Sequence, residues 1–335
     1  MTDDRAFGED EVAGPYNRPK LRKLTFSDDR QQAYKNHLAN ANATKNPMQR
    51  EAYILSKLQT IWAWRGKIVD HVISSRVIPA LEKRWILNPR KVLDYARLVY
   101  DKQRDFGLLN RIREEGMSQT KADDSFAAFY AVEYGPGISP EELKGAWEEI
   151  EQALHNFLNM RELLDELRRA EKLITQRSLT FSVFNAKARA VPDLIAFFRD
   201  EPPLIVDWKV HGLGVRDSRL QLAVYALALT RSTAHQDFPP RAFPEPEEIR
   251  LIEAQLLTNT LRSYKLTVRD VESMESRIVE SFMEMKLSEG DGTTATIDPF
   301  DYPVTEYPET CERCRFRKLC WPELVCQESK QMTLL

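Results

Sequence analysis

The chain has 335 residues, a net charge of −3 and a pI near 6.1, and 42 % of its residues are hydrophobic. This composition is typical of a soluble protein with a sizeable core, in one large domain or two ordinary ones. No apolar run approaches the ~20 residues of a membrane helix, and no apolar core follows the charged first residues, so we expect a cytoplasmic protein without membrane contact. The acidic balance argues mildly against tight unaided binding to nucleic acid.

Residues 1–48 are polar and charged, and they predict an N-terminal arm with one helix around 29–41. Residues 49–85 predict a long helical run. Within it, Gly66 is followed by an apolar stripe and by two polar candidates, Asp70 and His71. Because adjacent helix residues point about 100° apart, these two side chains cannot serve as equivalent ligands.

Residues 86–175 predict a mostly helical block. Its first helix, 92–115, is basic and offers either a DNA-contacting surface or a solvated helix face; its cations are Arg97, Lys102, Arg104, Arg111 and Arg113. Ser139 and Glu142 form a capping box with proline at the first helical position, which predicts the start of a second helix that continues through 150–174.

Residues 191–209 hold two apolar segments joined by a polar, proline-rich turn, which predicts a β-hairpin. Asp193 opens the first strand, and Asp207 and Lys209 close the second. Alternation along the strand places Asp207 and Lys209 on one face and Trp208 on the other. Since the start of one hairpin strand lies beside the end of the next, Asp193 and Asp207 converge, and paired carboxylates suit Mg²⁺ or Mn²⁺. The alternative is an exposed hairpin with a surface ion pair.

Residues 219–229 predict a helix, on which Gln221 and Tyr225 are four apart and therefore share a face. Beside a carboxylate site, this pair is placed to contact DNA; on its own it is an ordinary amphipathic boundary. Further on, 249–257 predicts a core strand, 264–267 a strand that pairs with it, and 267–286 a helix capped by Thr267 and Asp270.

All four cysteines lie near the end of the chain, and the first 310 residues have none. The spacing C-x2-C-x5-C is that of a soft-metal site, and four thiolates suit zinc as well as an iron–sulfur cluster. A disulfide fits less well, because a cytosolic chain keeps its thiols reduced. The candidate ligands are Cys311, Cys314, Cys320 and Cys326.

Pro192-Asp193 and Asp207-Trp208-Lys209 resemble the two halves of the PD-(D/E)XK nuclease motif, and the Gln221–Tyr225 pair resembles the Q-x-x-x-Y motif of the RecB-like branch. The resemblance implies an α/β fold, a restriction-endonuclease-like mixed sheet flanked by helices, with a helical insertion and a C-terminal Cys cluster. It divides the chain into an arm (1–48), a helix of the nuclease core (49–85), the insertion (86–175), the nuclease core (176–300) and a Cys-rich segment (301–335).

The RecB-like branch carries a helix in which a metal-binding His follows a Gly by four residues. Here that position is Asp70, and His71 comes one residue later. Asp70 keeps the register and His71 the side-chain type, so we favour Asp70 and keep His71 as its rival.

The cysteine triplet resembles that of the iron–sulfur nucleases, namely the CRISPR-associated adaptation nuclease and helicase–nuclease subunits. The resemblance favours a [4Fe–4S] cluster over zinc. Those nucleases take a fourth ligand from an upstream Cys that this chain lacks, and Cys326 is the candidate to replace it.

The implied activity is metal-dependent hydrolysis of DNA in repair, recombination or defence. Asp193 and Asp207 would hold the cation with Asp70 or His71, and Lys209 would orient the attacking water or bind the phosphate. The chain has no P-loop, so a helicase or another complex subunit is an expected partner. Two alternatives remain open: a catalytically silent DNA-binding or scaffold subunit of the same fold, and a restriction-type endonuclease with a zinc knuckle.

Overall fold

The computed structural model describes residues 46–210, 218–233, 235–239, 244–289 and 311–320. The predicted helix around 29–41 and the Cys326 thiol lie outside these ranges. None of the helices in the described ranges is both long and apolar enough to cross a membrane.

A group of helices precedes the sheet. The helices are α1 (Pro47–Ser56), α2 (Ile61–Val72), a π-helical turn (Ile73–Val77), α3 (Ile78–Glu82), α4 (Pro89–Leu108), a 3₁₀ turn (Arg111–Arg113), α5 (Gln119–Ala122), a 3₁₀ turn (Asp123–Ser125), α6 (Tyr130–Tyr134), α7 (Pro140–Asn159) and α8 (Arg161–Arg169). The strands follow as β1 (Lys172–Thr175), β2 (Leu179–Val183), β3 (Ala186–Ala190), β4 (Leu194–Phe197) and β5 (Leu204–Lys209). After them come α9 (Arg219–Arg231), a 3₁₀ turn (Pro246–Glu248), β6 (Arg250–Gln255), β7 (Thr260–Tyr264), α10 (Val268–Glu289) and α11 (Arg317–Cys320).

The main sheet has the strand order β1-β4-β5-β6-β7, and β2 pairs with β3 as a separate hairpin. In the main sheet β5 and β6 are parallel, whereas the other neighbours are antiparallel. The predicted mixed sheet flanked by helices is therefore confirmed. The predicted β4–β5 hairpin is also confirmed, with Leu194 opposite Val206.

Helices cover both faces of the sheet because its strands alternate their apolar side chains between two cores. On β5, Val206 and Trp208 pack into the core that contains α2, α4, α7 and α8. Ile205 packs on the opposite side, in the core that contains α9 and α10. The end of β5 therefore lies between α2 on one face and α9 on the other.

Two predicted helix starts are confirmed, and in both a side chain caps the free backbone N–H groups. Ser139 and Glu142 form the reciprocal capping box at 2.8 and 3.1 Å. Asp270 accepts hydrogen bonds from the backbone and hydroxyl of Thr267, although α10 extends to Glu289.

Two sequence predictions about secondary structure were wrong in part, and one hairpin was not predicted at all. The run 150–174 is not one helix: it breaks at Met160 between α7 and α8 and ends in strand β1, so the block 86–175 includes a core strand. The hairpin β2–β3 was not predicted. The strand placed at 264–267 lies instead at Thr260–Tyr264, where a tight turn pairs it with β6.

Candidate active site

The β4–β5 hairpin brings together the three residues that open and close its strands. The Asp193 Oδ2 atom accepts a hydrogen bond of 3.0 Å from the backbone N–H of Trp208. Because Asp207 and Lys209 flank Trp208 on β5, this hydrogen bond holds both residues beside Asp193 across the hairpin. Lys209 Nζ lies 2.7 Å from Asp207 Oδ2, and Asp207 is 1 % exposed.

Helix α2 supplies a further carboxylate from the other face of the sheet. Asp70 Oδ1 accepts a hydrogen bond of 3.0 Å from the indole N–H of Trp208 and one of 3.4 Å from the hydroxyl of Ser74. The helix is held above β5 by Arg65, which is 3 % exposed, pairs with Glu149 of α7 and donates to the backbone oxygen of Val210.

His71, the rival of Asp70, points elsewhere. Its Nε2 atom lies 2.9 Å from the hydroxyl of Tyr95 and 3.7 Å from Asp124 Oδ1. Its ring stacks on that of Tyr95. The structure therefore places Asp70 with the hairpin carboxylates and His71 against α4 and the turn after α5, as expected for neighbours on a helix.

Helix α9 completes the arrangement with Gln221 and Tyr225. Gln221 Oε1 accepts from Lys209 Nζ at 2.9 Å, and its Nε2 atom lies 3.2 Å from Asp207 Oδ1 and 2.6 Å from the Tyr225 hydroxyl. Tyr225 is 1 % exposed. In this structure Gln221 contacts Lys209 and Asp207 directly, and Tyr225 accepts a hydrogen bond from Gln221. The DNA contact predicted for the pair stays a prediction.

The carboxylates are crowded in a dry environment. Burial, followed by the negative charges of Asp207 and Asp70, raises the pKa of Asp193 well above its ordinary value. Burial also raises the pKa of Asp70 to about 6, although the hydrogen bonds from Trp208, Gln176 and Ser74 act to lower it. Burial alone would lower the pKa of Lys209, but Asp207 and Asp193 raise it, so this lysine stays charged.

Two polar residues beside the site were missed by sequence reasoning. Gln176 follows β1, and its Nε2 atom donates to Asp70 Oδ1 at 2.7 Å and to Asp193 Oδ1 at 3.2 Å. Glu253 lies opposite Asp207 in the β5–β6 register and is fully buried. The signal for Glu253 was a charged residue inside an apolar strand; Gln176 gave none, because the strand before it was not recognised.

The Glu253 carboxylate has hydrogen-bonding partners of its own. Its carboxylate accepts from Gln255 at 2.8 Å, from Arg262 at 3.3 Å and from the hydroxyl of Tyr264 at 3.4 Å. Arg262 and Tyr264 lie on β7, so the outer strand of the sheet balances a buried charge next to Asp207. Glu253 therefore contributes negative charge near Lys209 while its own oxygens are occupied.

A family model for the PD-(D/E)XK nuclease superfamily matches residues 103–321. The chain belongs to the PD-(D/E)XK nuclease superfamily. The match includes all seven described strands and the Asp207-Trp208-Lys209 triplet but begins within α4, so it does not include Asp70. The α/β architecture agrees with the restriction-endonuclease-like fold expected of a PD-(D/E)XK protein.

Solved structures resemble this chain only distantly. The crystal structure of SSO0001 is 12 % identical, with 55 % of this chain and 78 % of that chain covered and a TM-score of 0.26. The crystal structure of protein VC1899 from Vibrio cholerae is 13 % identical, with 70 % of this chain and 61 % of that chain covered and a TM-score of 0.23. The search of curated proteins finds no match.

The donor set of this PD-(D/E)XK site suits a hard divalent cation. Asp70, Asp193 and Asp207 supply carboxylate oxygens, the ligands that Mg²⁺ and Mn²⁺ prefer. The Oε1 atom of Gln176 is buried beside them with no hydrogen-bond partner among the described residues. Their side chains are held by amide, indole and lysine donors, and across the described ranges no three His, Cys, Asp or Glu residues already form a ligand cage.

The described part of the Cys-rich segment packs against α1 and against the helices of the insertion. Cys311, Cys314 and Cys320 are partly exposed thiols outside any disulfide. Burial, followed by the charges of Cys320 and Cys311, raises the pKa of Cys314 to about 11. These three thiols do not form a metal-ligand set within the described residues.

The basic helix of the insertion is largely neutralised by acidic partners. Arg97 and Arg104 both pair with Asp101, and Arg104 also pairs with Asp105. Beyond the helix, Arg111 pairs with Glu114, and Arg113 pairs with Glu51 and Glu133. Of the two interpretations of this helix, the pairing favours a solvated face over a DNA-contacting surface.

Proposed function

We propose that this chain is a metal-dependent deoxyribonuclease that hydrolyses phosphodiester bonds, acting in DNA repair, recombination or defence. The observation that carries the proposal is the meeting of Asp70, Asp193, Asp207 and Lys209 at the end of β5. A nuclease of this superfamily needs carboxylates for a divalent cation and a charged lysine beside them, and all four groups lie within one network of hydrogen bonds and ion pairs.

Asp70, Asp193 and Asp207 would hold Mg²⁺ or Mn²⁺. When bound, the cation supplies a water of lowered pKa and stabilises negative charge on the phosphate. Asp207 and Asp193 raise the pKa of Lys209, which supports a role for this lysine as hydrogen-bond donor to the attacking water or to a phosphate oxygen.

Gln221 and Tyr225 would serve DNA cleavage through Lys209. Gln221 accepts a hydrogen bond from Lys209 and donates toward Asp207 and Tyr225, so its amide fixes the lysine relative to the carboxylate. The role proposed for this pair is therefore to position the residues that meet the DNA backbone. The helices of 86–175 would form a wall of the DNA cleft.

A catalytically silent DNA-binding or scaffold subunit is the alternative function. It is favoured by one observation, namely that the Asp70 and Asp193 carboxylates already accept hydrogen bonds from Gln176 and Trp208. The presence of all three residues Asp193, Asp207 and Lys209 favours the active enzyme.

The deciding experiment uses anaerobically purified protein with labelled single- and double-stranded DNA, in Mn²⁺ or in EDTA. We expect cutting in Mn²⁺ that is lost in EDTA, in Lys209→Ala and in Asp193→Asn, which keeps an oxygen acceptor for the Trp208 N–H. The matched control is Lys144→Ala, because that lysine is 77 % exposed and pairs loosely with Glu148. DNA binding without cutting by the wild type would favour the silent subunit, and cutting only after a helicase is added would identify a partner-dependent enzyme.

The cysteine segment carries a separate proposal, a [4Fe–4S] cluster or a zinc ion at Cys311, Cys314, Cys320 and Cys326. The support is the cysteine spacing C-x2-C-x5-C. Iron and acid-labile sulfide in the purified protein would identify the cluster, and zinc without iron would identify the zinc ion. Elemental analysis that finds neither iron nor zinc would refute both.

A further inference from the structure

Gln176 occupies an unusual place in the backbone. It directly follows β1, and the β1–β4 register that pairs Thr175 with Leu194 places Gln176 opposite Asp193. Its backbone N–H donates to the Asp193 carbonyl at 3.2 Å. Its φ angle is +51°, in the left-handed region that disfavours residues other than glycine. The main chain is therefore strained at the residue that faces a proposed metal ligand.

The strained backbone directs the Gln176 amide between two carboxylates from different elements. The same Nε2 atom lies 2.7 Å from Asp70 Oδ1 and 3.2 Å from Asp193 Oδ1. These carboxylates repel each other, since the charge of Asp70 adds to the burial that disfavours ionised Asp193. A primary amide has two N–H donors and no charge, so it can hold both carboxylates together without neutralising either.

The oxygen atom of the Gln176 amide is also in an unfavourable environment. Gln176 Oε1 is buried and has no hydrogen-bond partner among the described residues. A buried acceptor without a partner is unfavourable, and strain combined with such a group at one residue is typical of functional sites. A shorter or apolar residue at this position would avoid the unpaired oxygen.

We propose that Gln176 is a positioning residue that sets the separation of Asp70 and Asp193 for divalent-cation binding. The inference rests on the proposed metal-dependent function and adds to it a residue outside the D…D-x-K motif. Gln176 acts through the two carboxylates, in the way that outer partners orient the ligands of metal sites.

The test measures two quantities for each variant and compares them with those of the wild type. The first is the dissociation constant for Mn²⁺, measured by calorimetry and by the paramagnetic resonance of free Mn²⁺. The second is the melting temperature in EDTA. Gln176→Met keeps the length of the side chain and removes both donors. Gln176→Gly also removes the backbone strain, so it remains folded if the methionine variant does not. The matched control is Gln152→Ala. Gln152 lies on helix α7, and its amide donates a hydrogen bond of 3.1 Å to the backbone oxygen of Leu257.

We expect both Gln176 variants to weaken Mn²⁺ binding by about 10- to 100-fold, the range seen for partners of metal ligands. Gln152→Ala should bind Mn²⁺ like the wild type. A purely structural role would lower the melting temperature in EDTA and leave Mn²⁺ affinity intact in the folded variants. Wild-type affinity in Gln176→Gly therefore overturns the inference alone, whereas a wild type that binds no Mn²⁺ overturns the proposed function and the inference together.

Discussion

Trp208 hydrogen-bonds to Asp70 through its side chain, with the indole Nε1 atom 3.0 Å from Asp70 Oδ1. The backbone N–H of the same tryptophan is 3.0 Å from Asp193 Oδ2. Trp208 is the middle residue of Asp207-Trp208-Lys209, and its ring lies on the face opposite the two flanking side chains. One strand residue therefore connects the carboxylate of α2 to the carboxylate of the hairpin, across the plane of the sheet.

The first prediction separates Asp70 from its neighbour on helix α2. Asp70→Asn should weaken Mn²⁺ binding and cleavage at least about tenfold, because it removes the charge that lies within the carboxylate group. His71→Asn should leave both unchanged, since His71 contacts Tyr95 and Asp124 instead. Calorimetric Mn²⁺ titration of the two variants checks this. Loss of binding in His71→Asn with normal binding in Asp70→Asn would reverse the assignment.

The second prediction concerns the pH dependence of stability in EDTA. The pKa of Asp70 is about 6 in the folded protein, against about 3.9 in an unfolded chain. The folded state therefore binds more protons between these values, so the Asp70 contribution to stability falls as pH rises from about 4 to about 6. Asp70→Asn keeps the Oδ1 acceptor and removes this loss.

The free energy of unfolding of Asp70→Asn, relative to the wild type, should accordingly increase by on the order of 2 kcal/mol between pH 4 and pH 8. Urea denaturation at the two pH values measures it. Taking the difference between the two proteins cancels the titrating groups that do not interact with Asp70, whereas Asp193 responds to the Asp70 charge. A difference that does not change with pH would show that Asp70 is solvated in the folded state.

The third prediction tests the packing of the helical insertion. Gly107 lies near the end of α4, and a Cβ atom there would come within 2.3 Å of the ring of Phe129, which is 1 % exposed. Gly107→Ala should destabilise the protein by about 1–3 kcal/mol, because a buried ring must move. Gly145→Ala in α7, where the new methyl meets nothing within 4 Å, should instead stabilise it by about 0.5–1 kcal/mol. Equal effects in thermal melts would contradict this packing.

The fourth prediction concerns the attachment of the Cys-rich segment. The Glu133 carboxylate is 1 % exposed and pairs with Arg113 and with Lys318, beside the described cysteines. Glu133→Ala should lower the free energy of unfolding by about 1–3 kcal/mol. This is less than the loss expected when a fully buried ion pair is broken, because Arg113 and Lys318 stay about one-third exposed and can be rehydrated. It should also speed proteolysis near residue 318.

The matched control for that experiment is Glu148→Ala, which removes an exposed carboxylate from the surface pair with Lys144. Its effect should stay below about 0.5 kcal/mol. If Glu133→Ala and Glu148→Ala give the same proteolysis rate, the Cys-rich segment is attached by contacts other than the Glu133 pairs.

Local patterns were sufficient for several elements. The hairpin at 191–209 follows from two apolar runs around a proline-rich turn, and the start of α7 from the capping box at Ser139. These features depend on residues close together in the chain. Alternation alone also placed Asp207 and Lys209 on one face of β5, because successive strand residues point to opposite sides.

Other elements depended on their tertiary surroundings. Strand β1 is short and follows a helical run, so its strand conformation comes from pairing with β4 and not from its own four residues. The hairpin β2–β3, by contrast, carries a local strand signal, because buried apolar and exposed polar residues alternate along β2, and sequence reasoning missed it.

The motif residues Asp193, Asp207, Lys209, Gln221 and Tyr225 could be named from the sequence, because their spacing sets them on one hairpin and the next helix. The sequence favoured Asp70 over His71 by helical register, and the structure places Asp70, not His71, beside the hairpin carboxylates. The bridge made by Gln176 could not be named, and Glu253 gave only the signal of a charged residue in an apolar strand. Those residues are separated from the motif along the chain, and packing of α2, β1 and β6 around β5 brings them to it. Local geometry decides which side chains share a face, whereas only long-range packing decides which faces meet.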